Sequence, residues 1–593
     1  MPSTRGISRR ALLGGAASLV FAGGARAAAE DRYKLREFTY ADVSLTGGPL
    51  ARQVERLRLH YLGLDEDRIL KVYRQRAGLR APGADMGGWY DANGFVPGHL
   101  IGQFISGLSR LAANHGDQAC AAKAERLIHG YAATLGPTDN PFASPIASTT
   151  WPCYILDKYE IGLLDAASLT GNEEARKLLP RVISGALPFI PDHTYDRTPD
   201  SPKQAPYDEP YILSENLFRS FELTGDRQYF DMAKKYLLNT EFFDPLSEGR
   251  NILPGKHGYS HVIALSSGAK AYEMLGDEKY LRALRNAWDM LEQTQQYASG
   301  AWAAKEAFVR PHLGELADTL TATREHFETP CGYYAHSKLA RYLLGFTGEA
   351  RYADGLERVL LNTILGALDP RGDGEYFYYS DYHARAKKGF YKKKWPCCAG
   401  TLLQSVADYP LNLYFHAPGE LYVSFFAASE VRWKTGGVPV TVSQRTEFPE
   451  SEAVEVRVAP ERPVEFTLRL RIPAWCRSPR LLLNGKPVAI EAGTFAAIHR
   501  TWRRSDKVEL SLPFAVRAVP VDDLNPQTAA VMHGPLMLSV MEPAAELAVS
   551  LDALMAMRRA ESGLQCEGQS GPLRFKPFYQ VQSELYSTYL QTK

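Results

Sequence analysis

The chain has few cysteines, no excess of charge and no long apolar run beyond its N-terminus. Its 593 residues include seven cysteines, an odd and widely spaced set, which argues against a disulfide-stabilised scaffold. The formal net charge of +1 gives no indication of a nucleic-acid partner or an anionic membrane surface. After the N-terminus no apolar run approaches the roughly 20 residues that a membrane span requires, so we expect no membrane partner.

The first residues have the pattern of an export signal. A basic start is followed by a short apolar stretch and by Ala-Arg-Ala ending at Ala27. Arg9 and Arg10, followed by Ala-Leu-Leu, are typical of the twin-arginine type, with an ordinary Sec signal as the alternative. We therefore predict a twin-arginine signal peptide over residues 1–27 and a periplasmic or secreted protein. Folded export would allow a thiol or metal site to form in the reducing cytosol.

Helical segments with a recurring glycine stop occupy the first two-thirds of the chain. The stops are NHGD, LTGN, LTGD, MLGD and FTGE, ending at Asp117, Asn172, Asp226, Asp277 and Glu349. In each, the glycine suits a left-handed helix end and the following residue suits the start of the next helix. With an opening hairpin, this spacing predicts six helical hairpins. An open solenoid is one solution, but the long loops favour a closed (α/α)6 toroid over residues 30–415.

The remainder of the chain changes to short alternating runs. These begin at Leu421, and Asn484-Gly485 is a hairpin signal. We predict one or two β-sandwich domains over residues 416–545, with the C-terminal segment 546–593 packing back on the rest. The fold class is thus a multidomain α+β protein in which a toroid precedes β-sandwiches.

The repeat indicates where polar residues should meet. In a toroid the first helix of each hairpin lines the inside, so the starts of these helices share one mouth. The polar residues at those starts are His99, Asp157, His261, Cys331, Cys397 and Cys398. Glu328 precedes Cys331, and the pair Cys397-Cys398 opens the sixth such helix. We expect these residues to converge although they lie far apart in sequence.

Three thiols and a carboxylate at one mouth suit a zinc ion. Thiolates and carboxylates are ordinary zinc ligands, four of them fill a tetrahedral shell, and helix N-termini favour anionic sulfur. Cys397 and Cys398 as small buried apolar residues are the alternative. A vicinal disulfide is a second alternative, although its ring would be strained.

The motif FETPCG at 327–332, followed by WPCCAGT at 395–401 within this layout, resembles glycoside hydrolase family 127, the β-L-arabinofuranosidase family. The resemblance extends over nearly all of the chain after the signal. It implies a zinc ion held by Glu328, Cys331, Cys397 and Cys398. It also implies that Cys397 is the nucleophile of a retaining glycosidase.

The family's acid/base glutamate lies in a Glu-Ala-Phe context. KEAF matches it at Glu306, and Glu315 is the second candidate. His261 and Tyr378 match positions that contact sugar in the family. The chain departs from the family in having two residues between Glu328 and Cys331, and in having Asp157 where a histidine is common. We therefore expect a divergent subgroup whose sugar need not be arabinofuranose.

Smaller signals allow two interpretations each. Trp89 could stack on a sugar or belong to the core, and His99 could line the pocket or be a satisfied core histidine. His257 is interpreted as structural. The run RAKKGFYKKKW at 385–395 could favour thiolates or an acidic glycan, or be solvated surface.

Three function classes follow. The first is an exo-acting glycoside hydrolase that acts on an oligo- or polysaccharide of plant type. The second is an (α/α)6 sugar epimerase or polysaccharide lyase, and the third is a non-catalytic glycan-binding protein with a structural zinc. The sequence leaves both a monomer and a homodimer possible, because the β-sandwiches could form a subunit interface or only brace the barrel.

Overall fold

A computed structural model describes residues 32–114, 116–144, 150–197, 208–543, 547–560, 563–569 and 571–593. The signal peptide predicted for residues 1–27 lies outside these ranges. Among the helices within them, none combines the length and the apolar character needed to cross a membrane.

Six helices form a closed ring in the first domain. They are Ile101–Ala113, Pro152–Leu169, Ser214–Thr224, Gly258–Leu275, Thr329–Thr347 and Cys398–Ala407. These inner helices are buried on nearly all sides, as expected of helices that pack between ring neighbours and an outer layer. Each packs against the next, and the last packs against the first, which closes the ring. Gly102 and Gly162 allow the first two to approach closely, since a Cβ on Gly102 would lie 1.9 Å from the Lys158 carbonyl oxygen.

Seven helices surround the ring and bury one face each. They are Gly48–Leu62, Glu66–Arg76, Gln118–Ala132, Glu173–Ala186, Arg227–Lys235, Glu278–Thr294 and Ala350–Asn362. The glycines of the five predicted stops all adopt positive φ, between 68° and 73°. Asp117, Asn172, Asp226 and Asp277 then cap the following outer helix by accepting backbone N–H bonds. Shorter helices are Asp244–Ser247, Glu315–Ala322 and Leu551–Met555.

Two sheets form a β-sandwich after the toroid. The five-stranded sheet contains Arg36–Glu37, Tyr414–Ala417, Glu420–Val423, Val464–Ile472 and Thr494–Trp502. The seven-stranded sheet contains Val43–Leu45, Ser429–Thr435, Val438–Thr446, Ala453–Pro460, Arg480–Leu483, Lys486–Val488 and Lys507–Ser511. The Trp433 ring packs edge-on against Phe466 across the sheets, with centroids 5.2 Å apart. Two strands that precede the toroid therefore belong to the sandwich.

A third sheet of nine strands follows. It contains Val516–Pro520, Thr528–His533, Leu536–Met541, Ala548–Val549, Arg558–Ala560, Gly563–Gly568, Gly571–Pro577, Tyr586–Ser587 and Tyr589–Thr592. The division predicted at residue 545 falls inside this sheet, because Tyr589–Thr592 pairs with Thr528–His533. Strand pairing between distant segments leaves no local pattern from which such a boundary could be located.

Buried polar contacts fix the β domains to the outer helix Ala350–Asn362. Arg471 of the sandwich is fully buried and pairs with the carboxylates of Asp354 and Glu357. Asn362 accepts the Met537 N–H at 2.7 Å and donates to the Pro535 carbonyl at 2.9 Å, which anchors the third sheet. The predicted order of a toroid followed by β domains is confirmed.

Candidate active site

Four side chains with metal-binding atoms meet at one mouth of the ring. Glu328 ends the short strand Phe327–Glu328, and Cys331 lies in the first turn of Thr329–Thr347. Cys397 and Cys398 begin the last inner helix. One ligand atom from each residue lies within 4.8 Å of all the others, and all four residues are buried. The structure thus brings the four predicted ligands together.

The spacing of these atoms fits a tetrahedral shell. Cys331 Sγ lies 3.4 Å from Cys397 Sγ and 3.5 Å from Cys398 Sγ. Glu328 Oε1 lies 3.1 Å from Cys397 Sγ and 3.9 Å from Cys398 Sγ. With Zn–S bonds of about 2.3 Å, a tetrahedral zinc holds neighbouring sulfurs about 3.8 Å apart. All seven cysteines are free thiols in the structure, so it does not contain the vicinal disulfide.

The extra residue between Glu328 and Cys331 is absorbed where a strand meets a helix. Glu328 pairs with Tyr379 in a two-stranded ladder, and Thr329 donates its N–H to the Tyr378 carbonyl at 2.7 Å. Pro330 occupies the first turn of the helix, where it is well tolerated. Glu328 therefore still reaches the three sulfurs.

The electrostatics of the group favour a cation as soon as more than one of the four side chains is ionised. Burial raises the pKa of Glu328, Cys331 and Cys398. Burial also opposes ionisation of Cys397, but hydrogen bonds from Cys331, Cys398 and Glu328 outweigh it and hold the pKa of the Cys397 thiol well below its ordinary value. The group thus accommodates one negative charge, on Cys397. Further charges in this buried space need a positive partner, which a divalent metal would provide.

Glu306 lies beside this group on a strained turn. Lys305 and Glu306 both adopt positive φ, 52° and 63°, a conformation that non-glycine residues hold mainly at functional sites. Glu306 Oε1 accepts a hydrogen bond from the Tyr378 hydroxyl at 3.0 Å and another from Tyr379. Its Oε2 lies 3.3 Å from His257 Nε2. The side chain remains 27% exposed, so it can meet a ligand from solvent.

The Tyr378 hydroxyl connects Glu306 to Cys397. The hydroxyl lies 3.0 Å from Glu306 Oε1 and 3.6 Å from Cys397 Sγ. The carboxylate oxygen and the sulfur are therefore no farther apart than the sum of these distances. Retaining glycosidases place their two catalytic groups about 5–5.5 Å apart, which this geometry permits.

Glu315 lies elsewhere. It begins the short helix Glu315–Ala322, accepts the Arg310 N–H at 2.7 Å and forms an ion pair with the Arg310 side chain. Within the described part of the chain, no contact joins it to the four ligands. Of the two acid/base candidates, the structure places only Glu306 at the group.

Trp89 and His99 border the group with unused polar atoms. The Trp89 ring lies 6.3 Å from Tyr378 and 6.4 Å from His99, centroid to centroid. Burial lowers the pKa of His99 to about 3, so its ring is neutral. Its Nδ1 bonds the Val96 carbonyl at 2.6 Å, which leaves Nε2 as an acceptor. Among the described residues neither His99 Nε2 nor Trp89 Nε1 has a hydrogen-bond partner.

Asp157 and His261 are engaged elsewhere. Asp157 accepts a hydrogen bond from Asn216 at 2.8 Å, and burial raises its pKa to about 6. The ring nitrogens of His261 both have partners, with Nδ1 2.8 Å from the His257 carbonyl and Nε2 2.8 Å from Asp196. His261 therefore has no free nitrogen for a sugar.

His257 and Tyr379 were not predicted as site residues. His257 lies at the N-cap of its helix, as a structural residue would, with its Nδ1 2.9 Å from the Ser260 hydroxyl. Its other nitrogen, however, faces Glu306, and Tyr379 binds the same carboxylate. The family resemblance favours His261 over His257 as a sugar contact, although both lie at the start of one helix. Only the position of the Glu306 turn decides which of them it meets.

Comparison with known proteins decides the family. Residues 42–411 match the family "Beta-L-arabinofuranosidase, GH127 catalytic domain". The chain belongs to glycoside hydrolase family 127. Residues 420–514 match the GH127 middle domain, which corresponds to the β-sandwich.

One relative with an assigned activity has a low sequence identity to this chain. The non-reducing end β-L-arabinofuranosidase of Bifidobacterium longum subsp. longum is 26% identical over 444 residues, covering 65% of this chain. The match spans 64% of that relative's length, slightly less than two thirds.

Solved structures share the fold. A GH127 β-arabinofuranosidase superposes with a TM-score of 0.75 at 17% identity, over 95% of this chain and 98% of the other. A GH127 β-L-arabinofuranosidase from Geobacillus stearothermophilus T6 gives a TM-score of 0.72 at 18% identity, over 93% and 100% of the chains. At these identities the likeness establishes the toroid and β domains.

Proposed function

We propose that this GH127 chain is a retaining, exo-acting glycoside hydrolase with Cys397 as its nucleophile. It would release a terminal sugar similar to β-L-arabinofuranose from plant-type glycans, in the periplasm or outside the cell. The observation that carries the proposal is the Tyr378 hydroxyl, which contacts both Cys397 Sγ and Glu306 Oε1. A nucleophile and an acid/base group so placed can act on the two sides of one glycosidic bond.

The reaction has two displacements. In the first, the Cys397 thiolate attacks the anomeric carbon, the glycosidic C–O bond breaks and Glu306 gives its proton to the leaving oxygen. In the second, Glu306 takes a proton from water, the water oxygen attacks the anomeric carbon and the C–S bond breaks. The thiolate and the protonated glutamate are restored, and two inversions give net retention.

Glu328, Cys331, Cys397 and Cys398 are the residues that would hold zinc. A bound zinc ion would supply the positive charge that keeps the buried thiolates ionised at neutral pH. Around this group we propose Trp89, His99 and Tyr378 as the sugar contacts. The Trp89 indole is a donor, the neutral His99 is an acceptor, and together they can fix the orientation of sugar hydroxyls.

The two other function classes have less support. An epimerase or lyase would need histidine or tyrosine bases rather than thiolates at a metal. The match to the GH127 catalytic domain favours hydrolysis over epimerase or lyase chemistry and over glycan binding without catalysis. A non-catalytic glycan-binding protein with a structural zinc would retain the metal and bind glycans without turnover.

Zinc content tests the centre of the proposal. Protein purified without added metal is expected to carry about one zinc per chain. Cys398→Ser is expected to lose most of this zinc, because removal of one of four ligands strongly weakens a tetrahedral zinc site. Elemental analysis by plasma mass spectrometry gives the measurement. Cys476→Ser is the matched control, since this thiol is equally buried but lies in the sandwich.

The possible outcomes separate metal from packing. If wild type contains no zinc and Cys397 and Cys398 alkylate freely, the thiolate mechanism fails whatever the fold. If Cys476→Ser also loses zinc, the loss in Cys398→Ser reflects general destabilisation. A melting curve on each variant distinguishes these cases.

His257 is expected to set the pH range of the reaction. Burial raises the pKa of Glu306, but the hydrogen bond and charge of His257, together with the Tyr379 bond, outweigh it and lower that pKa. Glu306 must be protonated to act as the acid, so activity falls as pH rises through its pKa. His257→Ala removes a stabilising partner of the carboxylate and raises the pKa, which moves the alkaline limb of kcat/KM to higher pH.

The pH profile of His257→Gln provides the comparison. A glutamine amide can donate to Glu306 without charge, so its alkaline limb should lie between those of wild type and His257→Ala. An unmoved limb in His257→Ala would show that His257 only caps its helix.

A further inference from the structure

The basic segment at residues 385–395 contributes directly to the surroundings of the candidate site. Its Tyr391 ring stacks on Tyr378, with centroids 4.5 Å apart and planes inclined by 25°. The same ring meets Trp89 edge-on at 5.8 Å. Lys392 and Lys393 therefore come directly after Tyr391, whose ring contacts Tyr378 and Trp89, two of the residues proposed to bind the sugar.

The segment is held in place by its backbone and by a buried tryptophan. Tyr391 donates its N–H to the Tyr376 carbonyl at 2.9 Å, and the Lys394 carbonyl accepts the Trp89 N–H at 3.0 Å. Gly88 is necessary for this approach, since a Cβ there would lie 2.1 Å from the Lys394 carbonyl oxygen. Trp395 is buried and donates from its ring to the Met86 carbonyl at 2.7 Å. The lysines thus project from an anchored loop.

The six charges of the segment divide into two groups. Arg385, Lys388 and Lys394 are used within the protein. Arg385 bonds the Pro543 carbonyl, buried Lys388 bonds two carbonyls, and Lys394 pairs with Asp373 at 3.5 Å. Lys387, Lys392 and Lys393 are exposed, and no ion pair to them occurs among the described residues. Charge without a structural use is thereby concentrated beside Tyr391.

We propose that Lys392 and Lys393 form an anion-recognising rim and that the glycan next to the released sugar is negatively charged. The proposal rests on the proposed function and specifies its substrate class. Exposed Lys305, adjacent to Glu306, adds a positive charge on this side, and exposed Glu325, whose carbonyl accepts the Lys305 N–H at 2.7 Å, offsets it. Of these four residues, Lys392 and Lys393 therefore carry the positive charge that is not offset.

Screening by salt limits the lysine rim to charges of the glycan that lie nearby. At physiological ionic strength exposed charges act over about 8 Å, so only sugar units close to the cleaved bond would respond. Exposed ion pairs are weak individually, and two together correspond to an affinity difference of about fivefold. Carboxylates of uronic acids and sulfate esters both meet this requirement.

Binding of defined oligosaccharides tests the rim without relying on catalysis. Calorimetric titration would compare tetragalacturonate, its neutral methyl ester and a sulfated galactan tetrasaccharide at low salt. We expect wild type to bind an anionic probe about fivefold more tightly than the ester, and the difference to vanish in Lys392→Gln/Lys393→Gln or in 0.5 M salt, about the range where screening is strong. Lys234→Gln/Lys235→Gln removes equal charge from an exposed face of an outer helix and should change nothing.

Each result has one meaning. Preference for galacturonate or for the sulfated probe, lost in the rim variant alone, supports the proposal and identifies the anion. Equal binding of charged and neutral probes overturns it, as does an equal loss in the control variant. Hydrolysis of an aryl arabinofuranoside is measured separately. Its absence would count against the proposed function, and a charge preference would still establish the rim.

Discussion

Cys397→Ala is expected to lower kcat/KM for an aryl β-L-arabinofuranoside by about 10⁴-fold or more, as loss of a covalent nucleophile does in other enzymes. The thiolate is needed twice, to displace the leaving group and to hold the sugar for attack by water. Glu306 and the sugar contacts would remain, but among the described residues Cys397 is the cysteine of the group whose sulfur contacts the Tyr378 hydroxyl that also binds Glu306. Steady-state kinetics on purified variants gives the measurement.

A trapping experiment separates chemistry from folding. An electrophilic furanose analogue should modify wild type at residue 397, as read by peptide mass spectrometry, and leave Cys397→Ala unlabelled. Cys120→Ala removes a buried thiol from an outer helix and should retain both activity and labelling. Activity that survives in Cys397→Ala would instead indicate the epimerase or lyase chemistry.

The fold was largely predictable because its signals are local. Each helix stop has a glycine with positive φ, and in four of the five stops the next residue caps the following helix, whereas Glu349 does not. Both signals can be identified within four letters. The convergence of Cys331 with Cys397 and Cys398 also followed from the repeat, since equivalent positions in neighbouring hairpins share one mouth. The strands Arg36–Glu37 and Val43–Leu45 could not be assigned to the sandwich, because their partners lie almost 400 residues later.

The site was predictable for its ligands and much less so for their surroundings. Glu306 was preferred to Glu315 on a family motif. The structure places Glu306 beside Tyr378 and Glu315 against Arg310, while the acid/base role itself stays a prediction. His261 was favoured over His257 by the family resemblance, whereas their contacts in the structure depend on two loops, one carrying Glu306 and one carrying Asp196. Loop positions are set by long-range contacts, which leave little trace in periodicity or spacing.

Glu306→Gln is expected to lower kcat/KM by about 10³-fold for a substrate with a sugar leaving group, within the range of general acid catalysis. The amide retains the size of the side chain and its contacts with Tyr378 and Tyr379 but cannot give a proton. A poor leaving group, such as a sugar alkoxide, depends on that proton. A dinitrophenolate does not, so the first displacement with such a substrate should slow only slightly.

This dependence on the leaving group distinguishes an acid/base from a binding residue. With an activated aryl substrate, Glu306→Gln should accumulate the covalent intermediate, because water then lacks its base. Added azide needs no base, so it should raise turnover and give a glycosyl azide. Glu315→Gln is the matched control and should behave as wild type with every substrate, since its carboxylate binds Arg310 outside the site. If Glu306→Gln lost the same factor with every leaving group and azide had no effect, Glu306 would only bind the sugar, and another residue would have to supply the proton.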